Sequence, residues 1–591
     1  MCEPQLPTPD SSSDISPGIP VPEANECTKL SQELLEAFPS QEDIDILCKS
    51  DYEATLFFHQ VITKEENGLG PEALDFVNQL AKIPDPSTHP VLVAKRMLIL
   101  ASFLQCFPPQ QVVGLVEQPE VVRKRLTDTA IRLVTTNEGM TGCMEGLECI
   151  ILEGIFQTNA GNLRRGWLAF RRAVVTAQLM RMDRDNPPPV KTLCPNTRTN
   201  PIFMWFRLVY MDRFLSLMLG LPQGCPNLKL DHEFPGETSL CKLERAHTVI
   251  AGRIVERNRQ DPLFQDLAMT QELDLQLLNV AKSLPDKFWL SPNFASLRKH
   301  SRDAFWETMR CADQVHHYNL VHLLHLPYLL RSDQESYHTY SKTTCVNASR
   351  EILNRFTAFR NFNTLTTCCR IADFFALMAG MTVLLAHIDS HRQRTANLLA
   401  HQRLSDRAMV EQVIMNMNHM AKENRDLLTR RTSDLLRCLM EVESKAEEQE
   451  VYNAHNALSC LEQECNVLQL PIPYFGIIKI GREGISKDWS TQHTSQPLGF
   501  DESPDSVHVA NHIFSFGSGS ILHQNPEATP LLTIPDGHTV QSQMEAQLAI
   551  PPGDDSVQQQ QSLHPSLTAG VNDWAFQGVD TAFFDSLMRG S

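Results

Sequence analysis

The amino-acid sequence predicts an all-α protein. Apolar residues recur at helical spacing along most of the 591-residue chain, between short interruptions rich in proline, glycine or asparagine. Alternation of period two, which would indicate β-strands, is nearly absent. The clearest helical patterns begin at Gly161 and at Met204, on either side of a proline-rich loop. We therefore expect a multi-helix array with disordered N- and C-terminal tails.

Composition divides the chain into four parts. Residues 1–40 are rich in Pro, Ser and acidic side chains, which favours a disordered acidic tail. Residues 41–484 carry the helical periodicity and are expected to form one all-helical domain. Residues 485–570 are rich in Ser, Gln, Pro and Gly, which indicates a disordered linker, and residues 571–591 form a distinct terminal segment.

Within the helical domain, long helices are expected near 91–107, 120–136, 143–158, 161–182, 202–219, 264–283, 303–331, 335–360, 364–392 and 405–465. The most lipophilic run starts at Val91. It contains Lys95 and Arg96 and ends at two prolines, so it is too short and too charged for a membrane span. We interpret it as a buried helix of a protein that does not enter the membrane.

The helix near 161–182 has one apolar stripe and a separate set of arginines. The stripe consists of Leu163, Trp167, Phe170, Val174 and Ala177. The arginines outside it are Arg164, Arg165, Arg171 and Arg172. Four arginines are too few to indicate binding to a phosphate backbone. We therefore interpret them as a solvated face or as partners of a buried acid.

That acid is Asp212, in the helix near 202–219. It occupies the apolar stripe between Leu208 and Leu215, where a carboxylate should be buried. A buried carboxylate needs a cation and hydrogen bonds, or its burial costs several kcal/mol. Arg213 or an arginine of the preceding helix is the expected partner.

These two helices resemble the middle homology region of fungal transcription factors, which usually lies behind a binuclear zinc-cluster DNA-binding module. The resemblance covers roughly residues 90–390. Its motif positions here are Trp167, Ala173, Ala177, Leu179, Arg184, Trp205, Asp212, Arg213, Ser216, Gly220 and Pro222. Arg171, Asp183 and Leu221 depart from the family pattern, which leaves the subfamily open. The resemblance implies the helical fold of that region, a role in transcription and a nuclear location.

The zinc cluster itself is not expected in this sequence. Two metal ions that share six thiolates require Cys-x-x-Cys spacing, and no two of the 16 cysteines lie three positions apart. The net charge of −18 is concentrated at the ends: residues 1–50 hold ten acidic and two basic side chains, and residues 481–591 hold thirteen and three. Acidic ends repel phosphate backbones, so direct DNA binding is disfavoured.

Neither a metal site nor an active site is predicted. His316, His317, His322 and His325 share one helix, but without a neighbouring acid or cysteine to complete a metal site they are interpreted as polar edges of a packed helix. Phosphate-binding loops, nucleophile elbows and HExxH strings are absent from the sequence. We expect no catalytic residues, no cofactor and no enzymatic activity.

Two stretches near the C-terminus suggest contacts with other proteins. The apolar seam of Leu435, Leu439, Val442 and Ala446 stops at Gln449, so it allows a homo- or heterodimer without establishing one. Residues 571–591 form an amphipathic pattern of the acidic activation type, in which aromatic residues enter a coactivator groove. Its apolar members are Trp574, Phe576, Val579, Phe583, Phe584 and Leu587. The alternative is a terminal helix that folds back onto the main domain.

Together these features predict a nuclear transcription activator of a metabolic or secondary-metabolite gene set. It would act through coactivators or a DNA-bound transcription factor. Two alternatives stay open. One is a small-molecule receptor or co-regulator with a methionine-lined pocket near Met409–Met420; the other is a truncated gene model of a zinc-cluster factor.

Overall fold

A computed structural model describes the chain over most of its helical region. The described residues are 24–48, 82–105, 114–195, 197, 199–225, 238–259, 267–299, 301–329, 336–364, 369–392, 399–455, 468–472, 476–481 and 484–488. They form an array of α-helices followed by a small antiparallel sheet. The predicted all-α class is therefore confirmed for the body of the protein.

The helices follow the chain in this order: α1 Ala24–Glu36, α2 Gln41–Cys48, α3 Pro90–Gln105, α4 Pro119–Ala130, α5 Glu138–Thr141, α6 Met144–Asn159, α7 Leu163–Leu179, α8 Pro201–Leu219, α9 Ser239–Arg259, α10 Leu267–Lys282, α11 Arg302–His325, α12 Ser336–Phe362, α13 Ile371–Arg392, α14 Arg403–Glu423 and α15 Leu427–His455. A π-helical turn, Ile131–Thr135, extends α4. Three short 3₁₀ turns lie at Asp286–Trp289, Leu326–Tyr328 and Ala400–Gln402.

Helix α6 is the centre of the described fold because it is buried on all sides. Ile150 and Ile155 belong to a large core cluster that continues through α7–α15, whereas Leu152 and Phe156 belong to a second cluster formed with α1–α4. A helix this enclosed must pair its charged side chains internally. Glu148 accordingly pairs with Lys95 of α3 and accepts a hydrogen bond from Thr199.

The N-terminal tail prediction is wrong for residues 24–40. Helix α1 packs on α3, with Leu34 fully buried and the Ser31 hydroxyl donating to the Thr88 carbonyl at 2.7 Å. The prediction relied on the composition of residues 1–40 as a whole, which is acidic, and so missed the helical repeat of Cys27, Leu30 and Leu34. Residues 1–23 lie outside the described part.

The predicted helix over 405–465 is two helices. Arg425 adopts a left-handed φ of 51°, which ends α14, and the Asp426 carboxylate then accepts from the Leu428 N–H at 3.0 Å and begins α15. Helix α15 packs on α13 and α14, and Leu439 of the predicted dimer seam is fully buried there. This part of the seam therefore serves the fold of a single chain.

Helix α9 and the sheet were not predicted. The strands are β1 Leu468–Ile472, β2 Gly476–Gly481 and β3 Gly484–Asp488, paired antiparallel in that order. Leu470 lies opposite Ile478, and Lys479 lies opposite Ser486. The sheet crosses the predicted domain boundary at 484/485, because short strands separated by glycines leave little periodicity to detect.

Helix α13 is long and apolar enough to span a membrane by length and composition alone. Most of it is buried against neighbouring helices, and its buried polar residues have protein partners. Asp373 pairs with Arg360 at 2.9 Å, and Thr382 bonds to His322 at 2.8 Å. These surroundings are those of a core helix.

Candidate functional site at the junction of helices α7 and α8

The family motif residues meet where the inner face of α7 packs on α8 and on the turn that follows α8. The Trp167 indole N–H of α7 donates to the Ser216 hydroxyl of α8 at 3.0 Å. Ser216 in turn donates to the Pro222 carbonyl at 3.1 Å. The Arg171 guanidinium lies over the Trp167 ring, 4.7 Å from its centroid, and donates to the same carbonyl. One tryptophan thus connects two helices and a turn.

Asp212 lies beside this chain of hydrogen bonds, and its side chain is only 1% exposed. Its Oδ1 is 2.9 Å from the Arg171 Nε, and its Oδ2 accepts from the Gly224 N–H at 2.6 Å. The prediction of a buried carboxylate with an arginine partner from the preceding helix is confirmed. Arg171, where the family pattern commonly has glycine, supplies that partner.

Arg213, the other candidate partner, serves a different contact. It is buried and donates to the carbonyls of Thr248 and Cys225, each at 3.2 Å. It therefore fastens α8 to α9 and to the turn after α8. Both residues of the Asp212–Arg213 motif therefore contact the turn after α8, at Gly224 and at Cys225.

Gly220 and Pro222 shape the turn. Gly220 ends α8 with a φ of +64°, in the left-handed region that only glycine adopts without strain. The Leu221 N–H then bonds back to the Ser216 carbonyl at 2.9 Å, which places the Pro222 carbonyl against Arg171 and Ser216. Of the remaining motif residues, Ala173, Ala177 and Trp205 are buried in the large core cluster, whereas Leu179 and Arg184 are exposed.

The electrostatics of the junction indicate a structural role. Burial raises the pKa of Asp212, while the Gly224 N–H and the guanidinium groups of Arg171 and Arg213 act to lower it. Burial also raises the pKa of the nearby Cys225 thiol to about 11, so it stays protonated at neutral pH. With its carboxylate enclosed by protein donors, the junction is suited to fixing helices in place.

The outer face of α7 is different. Leu168, Val175 and Leu179 are 55%, 55% and 67% exposed, and their spacing of seven and four places them on one stripe. The exposed Arg164 and Arg165 lie at its N-terminal end, and the exposed Arg181 lies just past its C-terminal end. Helix α7 contains no acidic residue. We call these six residues the α7 outer face.

The α7 arginines therefore divide into two sets, as the sequence allowed. Arg171 pairs with Asp212, and Arg172 pairs with Glu153 of α6 at 2.6 Å. Arg164 and Arg165 are exposed. Arg171 and Arg172 therefore form internal ion pairs, whereas Arg164 and Arg165 belong to a solvent-exposed face.

The four histidines of α11 are buried, which corrects their interpretation as polar edges. His322 and His325 have no solvent exposure, and His317 bonds to His247 of α9 at 3.0 Å between ring nitrogens. Burial lowers the pKa of His316 to about 3 and that of His317 to about 4, so both are neutral at physiological pH. Among the described residues, no group of three or more His, Cys, Asp or Glu side chains is placed to hold a metal ion.

Several buried ion pairs were not anticipated from the sequence. Arg360 pairs with Asp373 at 2.9 Å, and Arg370 pairs with Asp426 at 2.6 Å. Burial acts to raise the pKa of Glu443 of α15, but its contacts with His391 at 3.1 Å, Arg403 at 2.5 Å and Arg407 lower that pKa to about 2. Partners far apart in the chain leave no local pattern. The only available signal was a charged residue at an apolar helix position.

The activation-type residues of 571–591 lie outside the described residues. This applies to Trp574, Phe576, Val579, Phe583, Phe584 and Leu587.

Comparison with known proteins supplies the family. No protein-family model and no solved structure matches the chain. A "Dehydrocurvularin biosynthesis regulator" from Alternaria cinerariae is 40% identical over 95% of this chain and 81% of its own length. The "Probable transcription factor gsfR1" from Penicillium aethiopicum is 35% identical over 100% of this chain and 86% of its own.

A third relative extends the comparison to another species. The "Transcription factor sdnS" from Sordaria araneosa is 30% identical over 99% of this chain and 79% of its own length. Identity of this level over nearly the entire chain establishes common descent for the α7–α8 junction and the surrounding helices. This protein therefore belongs to the same family of fungal transcription factors, and it is a transcription regulator.

Proposed function

We propose that this protein activates a secondary-metabolite gene set in the nucleus, without enzymatic activity of its own. The observation that carries the proposal is the 40% identity, over 95% of the chain, to a regulator named for dehydrocurvularin biosynthesis. The product made under the control of the present chain need not be the same. The first relative is named as a regulator of biosynthesis, and the other two are named as transcription factors.

We further propose that these 591 residues reach promoters through a DNA-bound partner protein. They contain no Cys-x-x-Cys pair for a zinc cluster, and they carry a net charge of −18. Within the described part, Arg171 and Arg172 of the arginine-rich helix are bound to internal carboxylates. These features oppose tight binding to a phosphate backbone.

A mobility-shift assay tests this mode of recruitment. Labelled promoter DNA from the neighbouring biosynthetic genes is incubated at near-physiological salt with the purified chain, and then with the chain plus nuclear extract. We expect retardation, supershifted by an antibody to the chain, only with extract. Sequence-selective retardation by the chain alone would overturn the proposal.

A second measurement distinguishes recruitment by another protein from a DNA-binding segment outside this sequence. For this purpose the endogenous protein is immunoprecipitated and its intact mass is measured. A mass near 66.8 kDa supports recruitment by a partner. A larger mass with a cysteine-rich peptide ahead of Met1 would assign DNA binding to the same polypeptide.

Residues 571–591 are proposed as the activating segment. They combine aromatic and aliphatic residues at helical spacing with Asp573, Asp580 and Asp585, a pattern that suits a coactivator groove with a basic rim. Deleting 571–591 from the chain fused to a heterologous DNA-binding domain should abolish reporter activation. Undiminished activation would refute the role of this segment.

The receptor alternative is not favoured by the methionines that suggested it. Met417 and Met420 are buried in the core cluster, whereas Met415 is 52% exposed. Met417 and Met420 lie in the packed interior, whereas Met415 faces solvent. The three side chains therefore do not line one shared pocket.

A further inference from the structure

We propose that the α7 outer face is the docking surface for residues 571–591 of the same chain. The surface consists of Leu168, Val175 and Leu179 with the flanking Arg164, Arg165 and Arg181. Docking there would cover the aromatic residues that a coactivator needs. The inference rests on the proposed function only for its consequence in activation; the contact itself is tested separately.

Helix α7 is rigidly held from its inner side, so its outer face is a preformed platform. Trp167 is fixed by Ser216, Arg171 by Asp212 and Arg172 by Glu153. With the inner contacts satisfied, the three exposed aliphatic side chains form an apolar stripe that faces away from the core. Helix-in-groove recognition uses such apolar positions, repeated at helical spacing.

The lengths of the two patterns agree. Leu168 and Leu179 are eleven residues apart in α7, and Phe576 and Leu587 are eleven residues apart in the terminal segment. At about 1.5 Å per residue, each stripe is about 16 Å long if both are helical. Two helices of this kind could pack side by side over their full apolar length.

The charges are complementary. Three exposed arginines, Arg164, Arg165 and Arg181, flank the apolar stripe, whereas residues 571–591 have three aspartates and one arginine. A second copy of α7 would bring arginine against arginine, so self-association through this face is opposed. Its central aliphatic stripe is equally unsuited to a phosphate backbone.

The chain is long enough for the contact. Residues 489–570 separate the last strand from the terminal segment. A segment of 82 residues can span up to about 280 Å, so its length does not prevent the contact. Tethering of this kind gives an effective concentration approaching the millimolar range, so a weak contact suffices.

Photo-crosslinking in the full chain tests the proposal. Phe583 is replaced by a benzophenone amino acid, and an equal amount of ¹⁵N-labelled chain is mixed in before irradiation. We expect crosslinked peptides that join 571–591 to 163–181 within one isotopic form. Crosslinks between the two isotopic forms, to other parts of the chain, or at background level would overturn the proposal.

Matched variants exclude an indirect effect. Leu168→Asp with Leu179→Asp should reduce the crosslink at least fivefold. Leu404→Asp with Met415→Asp alters two exposed apolar residues of α14 with the same eleven-residue spacing, and should leave it unchanged. Equal yields in both double variants would contradict docking on α7. Neither result depends on reporter activity, so a failure of docking is distinguishable from a failure of the activation proposal.

Discussion

The two faces of α7 differ in their surroundings: one packs against other helices, and the other is exposed to solvent. The inner face places Trp167 and Arg171 against Ser216, Asp212 and the turn after α8. The outer face exposes Leu168, Val175 and Leu179 to solvent.

Of the motif positions in α7, Trp167, Ala173 and Ala177 pack in or against the large core cluster, whereas Leu179 is exposed on the outer face. The buried motif residues therefore hold the helices together, and the exposed stripe is where a binding role is to be sought.

Asp212→Ala should be the most damaging single change to the inner face. It leaves the Gly224 N–H without its acceptor and removes the carboxylate beside Arg171 and Arg213. Breaking a buried ion pair in this way costs about 3–5 kcal/mol of unfolding free energy. Urea denaturation measures it, with Asp212→Asn as a milder control that keeps the acceptor. A loss below about 0.5 kcal/mol would show that the junction is not structural.

Acid should also destabilise the fold, because it favours protonation of histidines that are neutral when buried. The folded-state pKa values of His316 and His322 are about 3, below the value near 6.5 of the unfolded chain. The unfolded state therefore binds more protons, and stability falls as pH drops from 6.5 towards 3. Between pH 7 and pH 5 the loss is up to about 2 kcal/mol per histidine. His316→Phe should reduce the slope; a slope equal to that of wild type would refute this cause.

Gly154→Ala should disturb the inner face through packing alone. A Cβ added at Gly154 of α6 would lie 2.7 Å from the Phe170 ring, which is itself buried. The ring cannot move without displacing its neighbours, so we expect a loss of about 1–3 kcal/mol despite the better helix propensity of alanine. The midpoint of thermal unfolding reports it. A more stable variant would mean that α6 and α7 can separate at little cost.

Trp167→Phe should have a smaller effect. The ring remains to pack, but the hydrogen bond to Ser216 is lost, which costs about 1 kcal/mol. Ser216 keeps its bond to the Pro222 carbonyl, so the turn should stay in place. Urea denaturation of Trp167→Phe, Ser216→Ala and the variant that carries both changes gives the coupling between the two side chains. Additive losses would indicate that this hydrogen bond contributes nothing.

The junction could be predicted in advance because its signals are local. A tryptophan on an apolar stripe and one aspartate at an apolar position require a specific partner, and Arg171 was among the candidates. Helix α9 gave no such signal. Its buried face includes Glu244 and Arg257, which are satisfied by Arg207 of α8 and by the Leu324 carbonyl of α11. Such partners become visible only when the chain has folded.

The same reason explains the histidines of α11. Their sequence spacing showed one helix, but their burial depends on α9 and α13, which supply His247 and Thr382. Helix α1 was missed for another reason, because its pattern is short and its surroundings are acidic. Two features limited what could be predicted from the sequence. Some side chains pair with residues far away in the chain, and composition averaged over a long segment conceals a short helix.

The division between the faces of α7 is tested most directly by Leu168→Asp with Leu179→Asp in the chain fused to a heterologous DNA-binding domain. The expected unfolding free energy lies within about 0.5 kcal/mol of wild type, because both side chains are exposed. Reporter activity should rise roughly threefold as residues 571–591 are released. The Leu404→Asp with Met415→Asp control should match wild type in both measurements. Unchanged reporter activity with a large loss of stability would contradict the account, because it would make the outer face part of the fold.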